Sequence, residues 1–308
     1  MFSKKLLIPL LSLSLLVTPA YSSHAAENAE AAGTSVEGQG MLSPSSSSES
    51  SESVFNGSGA GTSSEPVTDE KLETILKQVQ SQLPAENGTW AVFISDLVNG
   101  TEGSLNDQKM QAASLIKLYI MGAVYENYDQ ITEQYGRDSV DSNLYSMITV
   151  SDNDAANTLT TYLGGGDSAA GMQAVNSFCQ AHGYDQTHMG RMLLASNEND
   201  DNYTSVGDCG HLLQEIYKQD TSSYTHAADM FNLLKAQTRC NKIPAQLPEG
   251  VKTANKTGEL DNVENDAGII YDSKNDVVIV FMSQNLSSAG SAQNTIATLS
   301  RTIYDYYN

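Results

Sequence analysis

Positive charge is scarce in this chain: 16 Lys and Arg stand against 37 Asp and Glu over 308 residues, a formal net charge of −21 at pH 7. That balance argues against nucleic acid as a partner, because binding a phosphate backbone rests on clustered Lys and Arg. The acidic surface itself implies little beyond solubility. Cysteine is equally scarce, with Cys179, Cys209 and Cys240 the whole supply. None lies near the N-terminus to carry a lipid. The five histidines are scattered and form no close cluster with the cysteines, so a zinc site is not expected, and nothing calls for an organic cofactor. Long apolar runs are missing after the first twenty residues, which leaves no later candidate for a membrane span of about 20 residues.

What is present begins with a segment that reads as an export signal. Lys4 and Lys5 precede the apolar run Leu6–Val17, and the small residues Ser23 and Ala25 are spaced as at a signal-peptidase site. The other reading, an anchoring helix, requires a longer apolar core than this run supplies. We therefore expect a signal over 1–25 and a mature protein without a stable membrane anchor, secreted or held at the cell wall through its linker. From Ala26 the composition turns to Ser, Glu, Gly and Ala, as in Ser45–Ser53. Such a stretch buries too little apolar surface to offset chain entropy, so 26–67 reads as a disordered spacer. Folded sequence is expected over 68–308, as one domain. In an exported protein one cysteine pair is expected to bridge; Cys209–Cys240 is the pair chosen, with Cys179 in an apolar-spaced run as a core residue.

Within that domain, Leu72, Ile75, Leu76 and Val79 carry helical spacing over 69–83. The segment Thr89–Leu97 is strand-like and turns at Val98–Gly100 into a second short strand. Helical character returns over 112–127 and dominates 140–240, interrupted at Gly164–Gly166 and at the polar loop Ser196–Asn202. Strands are expected at 251–257, 265–272 and 276–283, and a closing helix at Ala292–Tyr306. Strands at both ends with helices between them predict an α/β (α+β) fold. An antiparallel sheet would be flanked by terminal helices and joined to an all-helical lobe, with the site at their junction.

Three short motifs carry the chemistry. Ser114-Leu115-Ile116-Lys117 sets a hydroxyl and an amine on one helix face; a lysine whose pKa is lowered by burial can take the serine's proton. Ser151-Asp152-Asn153 precedes a helix. Here Ser151 is the candidate proton shuttle, Asn153 a donor to a substrate amide carbonyl, and Asp152 the residue that holds the turn. In Lys256-Thr257-Gly258, followed by Glu259, an edge strand offers itself to an extended substrate. Lys256 supplies charge, Thr257 binds a carboxylate, Gly258 permits close approach and Glu259 contributes its backbone N–H to an oxyanion hole. Each motif alone has an ordinary reading as a cap, a turn or a solvated lysine. Their order and context together do not.

The set SxxK, SDN and KTG resembles the penicillin-recognising serine enzymes, class A β-lactamases most closely. The resemblance extends to Lys256–Gly268 and to Tyr203–Leu213 and covers the folded part to Asn308. It implies the β-lactamase/transpeptidase fold, an acyl-enzyme on Ser114, and a small-molecule β-lactam or cell-wall peptide as substrate. Two positions depart from the family's pattern. The glutamate that positions the hydrolytic water falls, counting back without gaps, on Met189, and no glutamate lies between Gly183 and Asn197. The arginine that receives the substrate carboxylate is Ala267 here, with Lys242 or Lys256 as electrostatic substitutes. Acylation with slow or no turnover is therefore the expectation. Beside it stand conventional β-lactamase activity, a D,D-carboxypeptidase or esterase, and a penicillin-binding sensor without turnover.

Overall fold

A computed structural model of the chain describes residues 69–222 and 224–308. The expected signal and spacer lie outside the described residues. The chain enters through helix α1 (Glu70–Gln82), whose N-terminus is capped by the Asp69 carboxylate on the backbone N–H of Lys71 and Leu72. Strands β1 (Thr89–Asp96) and β2 (Thr101–Leu105) follow. They pair with three strands from the far end of the sequence: β5 (Lys252–Leu260), β6 (Val263–Tyr271) and β7 (Val277–Gln284). The sheet order is β2-β1-β7-β6-β5, antiparallel throughout, with β5 at one edge.

Both faces of this sheet are covered, which is why β7 reads as the unbroken apolar run Val277–Met282 rather than an alternating one. On one face Val92, Ile94, Ile279 and Phe281 pack with α1 and the C-terminal helix α9 (Ala289–Tyr307). On the other, Ala91, Phe93, Val278, Val280 and Met282 join the core of the helical lobe. That lobe holds α2 (Ile116–Glu126), α3 (Tyr128–Tyr135), α4 (Arg137–Thr149), α5 (Asn153–Leu163), α6 (Ser168–Ala181), α7 (Val206–Lys218) and α8 (Ala227–Lys235). A two-residue ladder between β3 (Met110–Gln111) and β4 (Tyr203–Thr204) ties the start of α2 to the end of the long loop 182–202.

The predicted fold class is the observed one. Two details differ. Helix α3 is additional to the expected elements: its eight residues carry only two buried apolar positions, Tyr128 and Ile131, too few to mark a helical period. The expected Cys209–Cys240 bridge does not form: all three cysteines are free. Cys209 lies wholly buried on α7, its sulfur against the Tyr119 hydroxyl at 3.4 Å, while Cys240 is exposed after α8.

Candidate active site

Ser114 sits in a 3-10 turn (Ala113–Leu115) immediately before α2, not within the helix that the spacing predicts. The turn is tight: Ala113 has φ +47°, a left-handed conformation that costs a non-glycine residue about 1–3 kcal/mol. Surrounding contacts hold it there. The Ala112 N–H donates to Asn202 O at 2.9 Å. The Asn265 side-chain amide on β6 donates to Gln111 O at 2.9 Å and Ala112 O at 3.2 Å. Gly258 on β5 presses on the same turn, where a Cβ would meet Ala112 O at 2.8 Å and Ser114 N at 3.2 Å. Gly258 thus permits close approach to the turn that carries Ser114.

Lys117 occupies the first turn of α2 and is fully buried. Its Nζ donates to Ser151 O and Asn153 Oδ1, each at 2.7 Å, and lies 3.2 Å from Ser151 Oγ. Ser151 also has positive φ, +61°, which turns its carbonyl and its hydroxyl toward one amine. Asp152 caps α5 by accepting from Ala155 N at 2.7 Å, as the motif predicts. From the opposite lobe, Lys256 on β5 donates to Ser151 Oγ at 2.8 Å and to Thr257 O at 2.7 Å. One hydroxyl therefore joins two lysines, and the three motifs meet at the junction of sheet and helices.

Burial pushes the Lys117 amine down to about 7; Asp152 opposes that shift and Arg239 adds to it. Burial also holds Lys256 well below the usual lysine range, reinforced by the charges of Lys117, Arg239 and Lys242. A neutral Lys117 has two N–H groups and one lone pair. The two 2.7 Å contacts go to acceptor-only oxygens, which leaves the lone pair for a hydroxyl.

Arg239 carried no signal in the sequence, and it stands at this junction. Its guanidinium reaches Glu259 at 2.8 Å and Val150 O at 3.4 Å. Lys242, considered above as a carboxylate receptor, is fully buried and committed to Glu259 at 3.0 Å and Glu264 at 2.7 Å. Thr257 is buried beside Lys256, and Ala267 packs in the core opposite Lys256 in the β5–β6 register.

Two asparagines clamp the long loop to the helices. Asn176 on α6 pairs with the backbone of Met189 at 2.7 and 3.1 Å. Asn157 on α5 pairs with the backbone of Leu193 at 2.8 and 3.0 Å. Asn157 lies one helical turn beyond Asn153, so Leu193 is the loop residue held one turn from the Lys117 contact, while Met189 is held against α6. Both side chains are buried and apolar. The loop's base is closed by Arg191 Nε on Asp201 at 2.7 Å and by Gln111 on Asp201 at 3.0 Å. Among the described residues, no group of His, Cys, Asp or Glu is placed to hold a metal ion.

An antiparallel sheet with a helical lobe, and a serine–lysine–serine–lysine cluster at their junction, define the class of β-lactamase-like serine enzymes. The chain belongs to the beta-lactamase enzyme family, whose Beta-lactamase2 description matches residues 71–135 and 130–307. Among solved structures it resembles PBP-A, at 22% identity and TM-score 0.67 over 76% of this chain and 96% of that one. A leucine-to-glutamate mutant of PBP-A, solved as an acyl-enzyme complex with penicillin G, matches at 22% identity and TM-score 0.64, over 76% and 96% of the two chains. The beta-lactamase of Sphaerobacter thermophilus matches at 21% identity and TM-score 0.62, over 75% and 96%. Comparison with curated proteins gave no match.

Proposed function

We propose that this protein is an exported serine hydrolase that is acylated at Ser114 by β-lactams or acyl-D-alanyl-D-alanine-like peptides and releases the acyl group slowly. The observation that carries the reading is the Ser151 hydroxyl held between Lys117 at 3.2 Å and Lys256 at 2.8 Å, with Lys117 three residues along the chain from Ser114 in its 3-10 turn. In the acylation step the Ser114 oxygen bonds to the substrate carbonyl carbon and its proton passes to neutral Lys117. The backbone N–H groups of Ser114 and Glu259 receive the developing oxyanion. The carbonyl carbon–nitrogen bond then breaks, and the leaving nitrogen takes a proton through Ser151. Two amines on one hydroxyl do not both hold charge cheaply, so proton loss from one favours retention by the other. Asn153 binds the substrate amide, Thr257 its carboxylate side, and the open edge of β5 suits an extended peptide.

Release of the acyl group requires a base for water, and Leu193 and Met189 offer none. That PBP-A, similar in fold, forms a penicillin acyl-enzyme when one of its leucines is glutamate supports the chemistry assigned to this fold. Replacing Leu193 by Glu is expected to speed deacylation of benzylpenicillin at least tenfold, followed as substrate consumed per enzyme; Met189→Glu, held against α6, is expected to change it little. Equal rates in wild type and Leu193→Glu would remove the missing-base account. Export rests on the signal-like residues 1–25 and is tested by N-terminal sequencing of the secreted protein, which should begin at or just after Ala26.

A further inference from the structure

Beside the SDN loop, two segments are laid side by side. Thr238 donates through its N–H at 3.0 Å and its hydroxyl at 2.9 Å to Thr149 O. Gln237 reaches Ile148 O at 2.9 Å and accepts from Arg239 N at 3.0 Å. This fixes the backbone of Arg239 beside Val150, the residue before Ser151, while its side chain crosses to Glu259, three residues beyond Lys256. The guanidinium therefore bridges the SDN loop and the KTG strand, and 43% of it remains exposed to solvent.

Its partner carboxylate has a second cation. Glu259, 30% exposed, is held a second time by buried Lys242 at 3.0 Å, and Lys242 is held in turn by Glu264 at 2.7 Å. When Arg239 leaves Glu259, no carboxylate is stranded: Glu259 keeps Lys242, and the arginine is free to offer its planar fork to another carboxylate. Lys242 itself is buried and doubly paired, so it does not meet substrate. Ala267 has no charge to offer.

We propose that Arg239 is a specificity-determining residue that selects acyl donors carrying a free carboxylate on the leaving side, exchanging Glu259 for the substrate's carboxylate as the donor enters. This rests on the acylation reading above. The same guanidinium disfavours charge on Lys117 and Lys256. Removing it also raises their affinity for protons, an effect that slows every acyl donor alike, so the test must separate the two.

The test compares acylation of Ser114 by benzylpenicillin and by its methyl ester, followed by intact mass at several concentrations and at pH 6 to 9. Wild type is expected to favour the free acid. Arg239→Ala is expected to lower the acid-to-ester ratio of second-order rate constants about 10- to 100-fold, the size of one lost charge-assisted pair. Arg239→Lys should restore part of that ratio. Glu259→Gln, which releases the guanidinium, should raise it. Melting curves for each variant verify folding. A ratio unchanged in Arg239→Ala, or in Arg239→Lys and Glu259→Gln if the alanine variant fails to fold, overturns the proposal and leaves acylation at Ser114 standing. Wild type that forms no Ser114 adduct with either compound overturns the parent reading, and this one with it.

Discussion

A lysine left in water keeps its proton until about pH 10, so Lys117 can act as the proposed base for Ser114 at neutral pH only because it is buried. Desolvation brings that amine to about 7, and the nearby Asp152 carboxylate keeps it from falling further. The neutral amine is the competent form, so acylation should rise with pH, roughly tenfold between pH 6 and pH 8, with its midpoint about 7. Asp152→Asn removes the charge that supports the protonated form while an amide oxygen still caps α5 at Ala155. Its midpoint should therefore move to lower pH. Stopped-flow or quenched-mass rates across pH 5–9 measure both. A rate that still climbs about tenfold per pH unit at pH 9, with no levelling near 7, would mean that burial does not lower Lys117 as this account requires.

Among the elements, the turn bearing Ser114 depends on its neighbours, since a left-handed Ala113 is disfavoured by itself. Asn265 supplies two of its hydrogen bonds from β6, and Gly258 on β5 leaves it room. Asn265→Ala leaves the Ala112 carbonyl without that donor, at a cost of about 1–3 kcal/mol, and should slow acylation while the secondary structure by circular dichroism is kept. Gly258→Ala drives a methyl group toward Ala112 O at 2.8 Å. It should lower the acylation rate more than it lowers the melting temperature. Acylation at the wild-type rate in both variants would show that the turn holds its shape unaided.

At the scale of the molecule, most of the architecture was legible because it rests on patterns that burial enforces. The spacing of Leu72, Ile75 and Val79 marks α1, and the run Val277–Met282 marks the strand that the fold covers on both faces. The three motifs converge because chain order and fold topology constrain one another. What was not legible depends on contacts between distant segments. Arg239 is an ordinary loop residue until α8 sets it beside Val150, and Asn265 reaches a turn more than 150 residues earlier in the chain. A gapless count assumes a loop of fixed length and lands on Met189, which Asn176 holds against α6; only the fold shows that Asn157, one helical turn beyond Asn153, holds the backbone of Leu193. The cysteines form no Cys209–Cys240 bridge because Cys209 lies in the core and Cys240 at the surface, a separation that only the packing of α7 reveals.

The most direct measurement is the intact mass of the protein, residues 68–308, over an hour with excess benzylpenicillin, beside Ser114→Ala. The account predicts one added penicillin that persists and is absent from the variant. Unmodified wild type with the penicillin consumed would contradict slow release. Unmodified wild type with the penicillin intact would contradict acylation at Ser114 itself.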